Sequence, residues 1–157
     1  MIKMDTKNIP PELIEKFRMK ICKLHPDATV PTKAHENDLG WDLHCLEDIT
    51  ISAQNRAVIR TGIAIGFPEN VGGMVKDRSG VASKQGLYVH AGVIDPDYTG
   101  EIQIVMFNST TTDVTVRKGA KIAQLLLLPV FFVTEVQLVG NLEDTKRCDA
   151  GFGSTGD

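Results

Sequence analysis

From Arg18 onward the chain shows strand signals about every ten residues, separated by turn residues, with almost no helical periodicity after Phe17. Met19, Ile21 and Lys23 alternate with Lys20, Cys22 and Leu24. Val58 to Phe67, Glu101 to Asn108 and Asp113 to Gly119 follow, with Pro68 to Asn70 and Asn108 to Asp113 supplying turns. That texture predicts an all-β sandwich, barrel or jelly roll rather than alternating β and α units. The one interior exception is Val81 to Gln85, expected as a single helical turn after Ser79. The most apolar run, Ile122 to Val133, contains Gln124 and Pro129 and falls well short of the roughly 20 residues of a spanning helix. It reads as one or two buried strands.

A length of 157 residues suits one hydrophobic core, so residues 1–157 are read as a single domain. Only the ends differ in texture. Residues 1–17 form an N-terminal extension in which Pro10 and Pro11 open a short helix through Phe17. Residues 147–157 form a glycine-rich C-terminal tail, expected to be flexible until something holds it down.

With 17 basic and 20 acidic side chains, a net charge of −3 gives no long-range pull toward nucleic acid or anionic membrane, and neither is expected as a partner. Cys22, Cys45 and Cys148 make no CxxC pair, and the N-terminus carries no stretch like a signal peptide. An intracellular location, cytoplasmic or nuclear, is the expectation.

Several motifs fail on context. The tail GFGSTG (Gly151 to Gly156) fits GxGxxG, but it neither follows a strand nor opens a helix. No Walker A string occurs, and Ser79 lacks the preceding glycine of a nucleophile elbow. His25, His35, His44 and His90 are scattered without zinc-ligand spacing.

Five segments carry more glycine, charge and hydroxyl than a β core needs. In DLGWDLHC, Gly40 permits a turn and Asp42 stands between Trp41 and Leu43, where a carboxylate can hold magnesium. In DRSGVASKQG, Arg78, the Ser79 hydroxyl and the Gly80 amide can cradle phosphate. In GLYVHAGVIDPDYTGEI, Tyr88 to Val93 and Tyr98 to Ile104 flank a turn at Asp95, Pro96 and Asp97, which predicts a β-hairpin whose backbone can read a base. Asp95 follows Val93 and Ile94, placing a general base at the mouth of a partly buried pocket, and Tyr98 offers a flat face to a sugar. In RKGAKIAQLLL, Gln124 interrupts an apolar strand and reads as a buried amide that needs a partner. In the tail RCDAGFGSTGD, Phe152 can stack on a base while Arg147, Ser154 and Thr155 meet phosphate.

Taken in order, these segments resemble the five motifs of the homotrimeric dUTPase family, from about Lys23 to Gly156. DLGWDL resembles AGxDL, DRSGVASKQGL resembles RSGLAxKxGL, AGVIDPDYTGEI resembles GVIDxDYxGE, KGAKIAQL resembles GDRIAQL, and RCDAGFGSTG resembles RGxxGFGSTG. The resemblance implies a distorted jelly-roll, or β-clip, homotrimer with three shared sites, each completed by a neighbour's tail. It implies hydrolysis of dUTP to dUMP and pyrophosphate with Mg2+, keeping uracil out of DNA and supplying dUMP for thymidylate synthesis. By the same resemblance Asp95 activates the water that attacks the α-phosphorus, and Asp42 helps to hold magnesium through water. Tyr98 packs on the deoxyribose. Arg78, Ser79, Gly80, Gln124, Arg147, Ser154 and Thr155 face the phosphates, Phe152 and Gly153 close over the nucleotide, and the hairpin backbone at Val89, His90, Ala91, Gly92, Val93 and Ile94 reads uracil.

Three positions depart from the pattern. Asp77 stands where proline is expected and adds charge beside the phosphate segment, Trp41 replaces a smaller residue or tyrosine, and Cys148 replaces a glycine. A non-catalytic nucleotide-binding or regulatory module is one alternative, which retention of Asp95, Asp42 and the tail disfavours. A dCTP deaminase is the other, but its acid/base glutamate would fall near Val105, which cannot shuttle protons, and its arginine at Ser83.

Overall fold

The computed structural model describes residues 18–141, so the expected helix within residues 1–17 and the expected tail 147–157 lie outside the described residues. Within them the chain is nearly all β. Strands β1 (Lys20–Lys23), β4 (Arg56–Gly66), β8 (Glu101–Asn108) and β6 (Leu87–His90) form one antiparallel sheet in the order β1-β4-β8-β6. Strands β2 (Trp41–His44), β10 (Lys121–Pro129), β5 (Val71–Asp77) and β7 (Val93–Ile94) form a second in the order β2-β10-β5-β7, and β3 (Ile49–Ile51) pairs with β9 (Val114–Val116). This is the all-β architecture that the strand spacing predicts, of the jelly-roll type that the resemblance implies.

Period-two alternation decides which side chains enter the core. On β8, Ile102, Ile104, Met106 and Asn108 point inward and are at most 1% exposed, whereas Gln103 faces out. Leu43, Val75, Ile122 and Leu125 from the second sheet join Ile59, Ile63, Ile65 and Leu87 from the first in one apolar cluster. Buried Asn108 is satisfied rather than stranded: its amide donates to the carbonyls of Ile51, Ser52 and Thr112, and its Oδ1 accepts from Thr110. That one side chain ties β8 to the β3 end of the molecule.

The structure departs from the sequence expectations in three places. The expected single turn is a seven-residue helix, α1 (Ser79–Gln85), closed by Gly86 in the left-handed region at φ 63°. The predicted hairpin is split. β6 pairs with β8 from Leu87↔Asn108 to His90↔Val105, but Val93 and Ile94 leave that sheet to pair with Met74 and Gly73 of β5. Ala91 at φ 65° and Gly92 at φ 113° make the crossing. Finally, the apolar run is buried only as far as β10. Beyond Pro129, Phe131, Phe132 and Val133 are 90%, 64% and 78% exposed, because the ladder with β5 ends at Pro129↔Val71 and nothing further among the described residues covers the chain.

Candidate active site

The second sheet assembles a cleft around Asp42. Gln124 of β10 lies between Asp42 of β2 and Lys76 of β5 in register, so three adjacent strands present polar groups side by side. Asp42 is buried, at 6% exposure, and each carboxylate oxygen meets a cation: Arg78 Nε lies 2.8 Å from Oδ1 and Lys121 Nζ 2.7 Å from Oδ2. Paired this closely, the carboxylate avoids the desolvation cost of a lone buried charge. Around it a cavity of about 520 Å³ is lined by Asn37, Gly40, Arg78, Ser79, Gly80 and Gln124, among others.

Gln124 is half-buried, not fully buried as its apolar neighbours suggest, because it points away from Ala123 and Leu125 toward this cleft. Its Nε2 donates to the Asp77 carbonyl at 2.8 Å. Gly40 serves a different purpose from the expected turn. Its backbone is outside the left-handed region, and a Cβ there would lie 2.1 Å from Gln124 Oε1. The missing side chain is space for the amide. Gly80, by contrast, has no atom within 4 Å of a built Cβ, so the start of α1 stands open to the cleft. The first N–H groups of a helix have no intrahelical acceptor, and Ser79 and Gly80 bring theirs to the cavity edge.

His44 sits two residues along β2 from Asp42 and is buried; among the described residues its Nδ1 meets no hydrogen-bond partner. Burial holds its pKa below the ordinary value, with nearby Lys121 and Arg78 acting in the same direction and Asp42 opposing them.

A second hollow, of about 170 Å³, opens where the hairpin splits, between Val93, Ile94 and Asp95 on one limb and Glu101 and Gln103 on the other, with Tyr98 at its end. The turn is closed by the Tyr98 amide donating to the Asp95 carbonyl at 3.1 Å, and the Tyr98 hydroxyl donates to the Glu101 carbonyl at 3.0 Å. That second bond fixes the ring across the mouth. Asp95 is exposed rather than partly buried, because a single copy leaves this hollow open on its outer side. Glu101 is anchored by the Gly62 amide at 2.8 Å and by Arg60 at 3.2 Å. Partial burial pushes its carboxyl upward, but the Gly62 N–H and the Arg60 guanidinium outweigh that and hold it below its ordinary range.

The structure therefore brings Asp42, Arg78, Ser79, Gly80 and Gln124 together, and Asp95 with Tyr98, Val93 and Ile94, in two separate hollows that share no lining residue. Of the six hairpin residues expected to read a base, only Val93 and Ile94 line the second hollow. The Val89 amide is committed to Asp77 Oδ1, the Gly92 carbonyl accepts from the Val75 amide at 2.7 Å, and His90 stacks at a tilt on Phe107. The carboxylate of Asp77 faces the hairpin and is absent from the lining of the cleft around Asp42. Trp41 is covered by Lys33, whose Nζ lies 5.1 Å from the ring centre. Sequence reasoning missed Lys121, Glu101 and Gln103. The outward phase of Gln103 on β8 was the available signal. Arg147, Cys148, Phe152, Gly153, Ser154 and Thr155 lie outside the described residues.

The model of the dUTPase family matches residues 26–156. The chain belongs to the dUTPase family. The deoxyuridine 5'-triphosphate nucleotidohydrolase of Saccharomyces cerevisiae is 39% identical over 138 residues, covering 88% of this chain and 94% of the yeast protein. Among solved structures, the dUTPase of Staphylococcus bacteriophage 80alpha with dUPNHPP superposes with a TM-score of 0.83 at 28% identity, covering 89% of this chain and 99% of that one. A mutant dUTPase from phage phi11 of S. aureus, described as revealing the coordination of a structural Mg(II) ion, superposes with a TM-score of 0.74 at 26% identity, covering 81% and 99%. The reaction of this family is hydrolysis of dUTP. No helix among the described residues is long and apolar enough to cross a membrane.

Proposed function

We propose that this chain hydrolyses dUTP to dUMP and pyrophosphate in sites shared between copies, with the cleft around Asp42 receiving the triphosphate and the hollow beside Asp95 receiving deoxyuridine. The observation that carries the reading is the division of labour between the two. One cavity gathers Arg78, Gln124 and the open start of α1, a set suited to anionic oxygens. The other sets a free carboxylate beside an aromatic ring and two strand limbs.

In this mechanism Asp95 accepts a proton from the water that attacks the α-phosphorus in line, and Tyr98, held by its bond to the Glu101 carbonyl, packs on the deoxyribose and crowds out a 2′-hydroxyl. The Val93–Ile94 limb and Gln103 face the base. Arg78, Ser79, Gly80 and Gln124 hold the phosphates, so positioning and electrostatics supply most of the acceleration. By motif alone, Arg147, Ser154 and Thr155 gather the γ-phosphate and Phe152 with Gly153 covers the base.

Magnesium fits the cleft in a limited sense. Among the described residues no cluster of three or more His, Cys, Asp or Glu converges on one point, and both Asp42 oxygens already face cations. Once phosphate draws those cations away, the single carboxylate suits a hydrated ion that takes its remaining ligands from the substrate phosphates. Asp42 would hold it through water, and bound there it would neutralise charge on the phosphate oxygens and the departing pyrophosphate.

Assembly into a homotrimer is supported by what one copy leaves open. The 170 Å³ hollow is smaller than the roughly 300–1,000 Å³ of sites that enclose small ligands, and Asp95 is exposed. Phe131, Val133, Val136 and Leu138 stand 90%, 78%, 90% and 97% exposed along one stretch, an apolar surface that a second copy would cover. The test is pyrophosphate release from dUTP, dTTP, dCTP and UTP with Mg2+, with and without chelator. Strong preference for dUTP that chelator abolishes is expected; release of ammonia from dCTP, or binding without release, would replace this reading with one of its alternatives.

A further inference from the structure

The hairpin that carries the base-reading limb must cross from one sheet to the other between His90 and Val93, and the backbone does so through Ala91 at φ 65° and Gly92 at φ 113°. A left-handed alanine is disfavoured, so the crossing holds its shape only where its flanks are fixed. On the far side the Gly92 carbonyl accepts from the Val75 amide at 2.7 Å, and Gly92 is pressed so close to β5 that a Cβ would lie 2.6 Å from the Val75 carbonyl oxygen. On the near side stands Val89, on the edge strand β6 of the first sheet. Its partner β8 lies on one side only, and its amide turns away from β8 to the carboxylate Oδ1 of Asp77. A carboxylate acceptor makes this a charge-assisted bond, stronger than the neutral backbone bond beyond the crossing.

Asp77 also faces the other half of the site. Its backbone carbonyl accepts from Gln124 Nε2 at 2.8 Å, and the next residue, Arg78, pairs with Asp42 at 2.8 Å. One residue at the end of β5 therefore touches the phosphate cleft through its main chain and the hairpin through its side chain.

We propose that Asp77 is a positioning residue for base recognition: its carboxylate pins the Val89 amide and so fixes the crossing that sets the Val93–Ile94 limb against the nucleotide base. This rests on the reading that the hollow beside Asp95 takes deoxyuridine. The side chain itself contacts no phosphate-cleft cavity, so its loss acts on the base and not on the triphosphate.

The experiment compares wild type, Asp77→Ala and Asp77→Asn as assembled protein, in steady-state kinetics with dUTP and dTTP, in inhibition by inorganic tripolyphosphate, and in amide exchange at Val89. Asp77→Ala is expected to raise KM for dUTP about tenfold with kcat within about twofold, and to lower the preference for dUTP over dTTP, as loss of one charge-assisted bond in uniform binding would do. Tripolyphosphate, which has no base, should inhibit all three proteins alike. Asp77→Asn retains an Oδ1 acceptor and should recover most of the affinity. In the free wild-type protein Val89 should exchange slowly for an edge-strand amide, and Asp77→Ala should release it. An unchanged KM in Asp77→Ala, equal weakening of tripolyphosphate, or no rescue by Asn would overturn the proposal. Fast exchange at Val89 in wild type would overturn it even if the alanine variant did not assemble. A wild-type enzyme that cleaves dTTP as readily as dUTP would instead sink the underlying reading of the hollow.

Discussion

Gly40→Ala isolates a single steric relation. The backbone at Gly40 is open to any L-residue, and the three atoms nearest the added methyl all belong to Gln124: Oε1 at 2.1 Å, and Cβ and Cδ both at 2.9 Å. No small shift relieves contacts with both ends of the amide, so Gln124 must change rotamer or be pushed off one. That costs its 2.8 Å bond to the Asp77 carbonyl, about 1 kcal/mol net for a neutral hydrogen bond, and a further ~1 kcal/mol for the displaced side chain. A total near 2 kcal/mol corresponds to a fall in Tm of roughly 4–8 °C for a chain of this length. Gln124 also lines the phosphate cleft, so KM for dUTP should rise with it. The decisive assay is a double-mutant cycle read by thermal melting and kinetics. In a Gln124→Gly background all three contacting atoms are gone, and Gly40→Ala should then cost little, leaving a coupling of about 1–2 kcal/mol. Equal cost in both backgrounds would refute the steric argument and return Gly40 to a purely backbone role.

Asp95→Asn should leave assembly and nucleotide affinity intact while lowering kcat by about 10²–10⁴-fold, the usual contribution of a positioned base; near-normal turnover in stopped-time pyrophosphate assays would remove Asp95 from that role. Because Glu101 titrates below its ordinary value in the folded protein, its ionised form contributes stability that is complete above the unfolded pKa near 4.5 and is lost as pH falls through the folded one. Thermal melts of Glu101→Gln should accordingly show a flatter loss of stability below about pH 4.5 than wild type, and an unchanged slope would assign the acid transition elsewhere. Replacing Phe131 and Val133 by Asp, at 90% and 78% exposure in one copy, should leave the fold intact by circular dichroism but shift the mass in light scattering from trimer to monomer and abolish turnover. A variant that remains fully trimeric would show that this surface is not the interface.

Legibility from sequence followed the physics of each element. Strands with strict alternation were readable to the residue: Glu101 to Asn108 is β8 as expected, because a half-buried strand on an antiparallel sheet advertises its period. The hairpin was legible as a chain reversal but not as a crossing between sheets. Nothing in VHAGVID distinguishes a strand that stays in register with β8 from one that defects after His90, since the decision lies with pairing to β5, which precedes the hairpin in the chain. The extent of burial after Pro129 was equally hidden, because an apolar run that leaves its sheet reads in sequence like one bound for its own core.

The site was legible as chemistry and not as geometry. Asp42, Arg78 and Gln124 come from three strands or strand ends and were nominated separately, each on the need of a charge or amide for a partner. The structure shows that they meet one another: Asp42 takes Arg78 and Lys121, and Gln124 takes the Asp77 carbonyl. A triphosphate entering this cleft therefore competes with Asp42 for Arg78 and Lys121 instead of meeting free cations. Such competition keeps the cleft ordered when empty, and it weakens phosphate binding by the strength of the pairs given up. Asp42→Asn should thus act in two opposing ways, freeing both cations for phosphate while removing the carboxylate that would hold a hydrated ion. Tighter inhibition by tripolyphosphate measured without Mg2+, together with a higher Mg2+ requirement for turnover, is the expected signature. Weaker tripolyphosphate binding in that variant would mean that Asp42 organises the cations rather than restraining them.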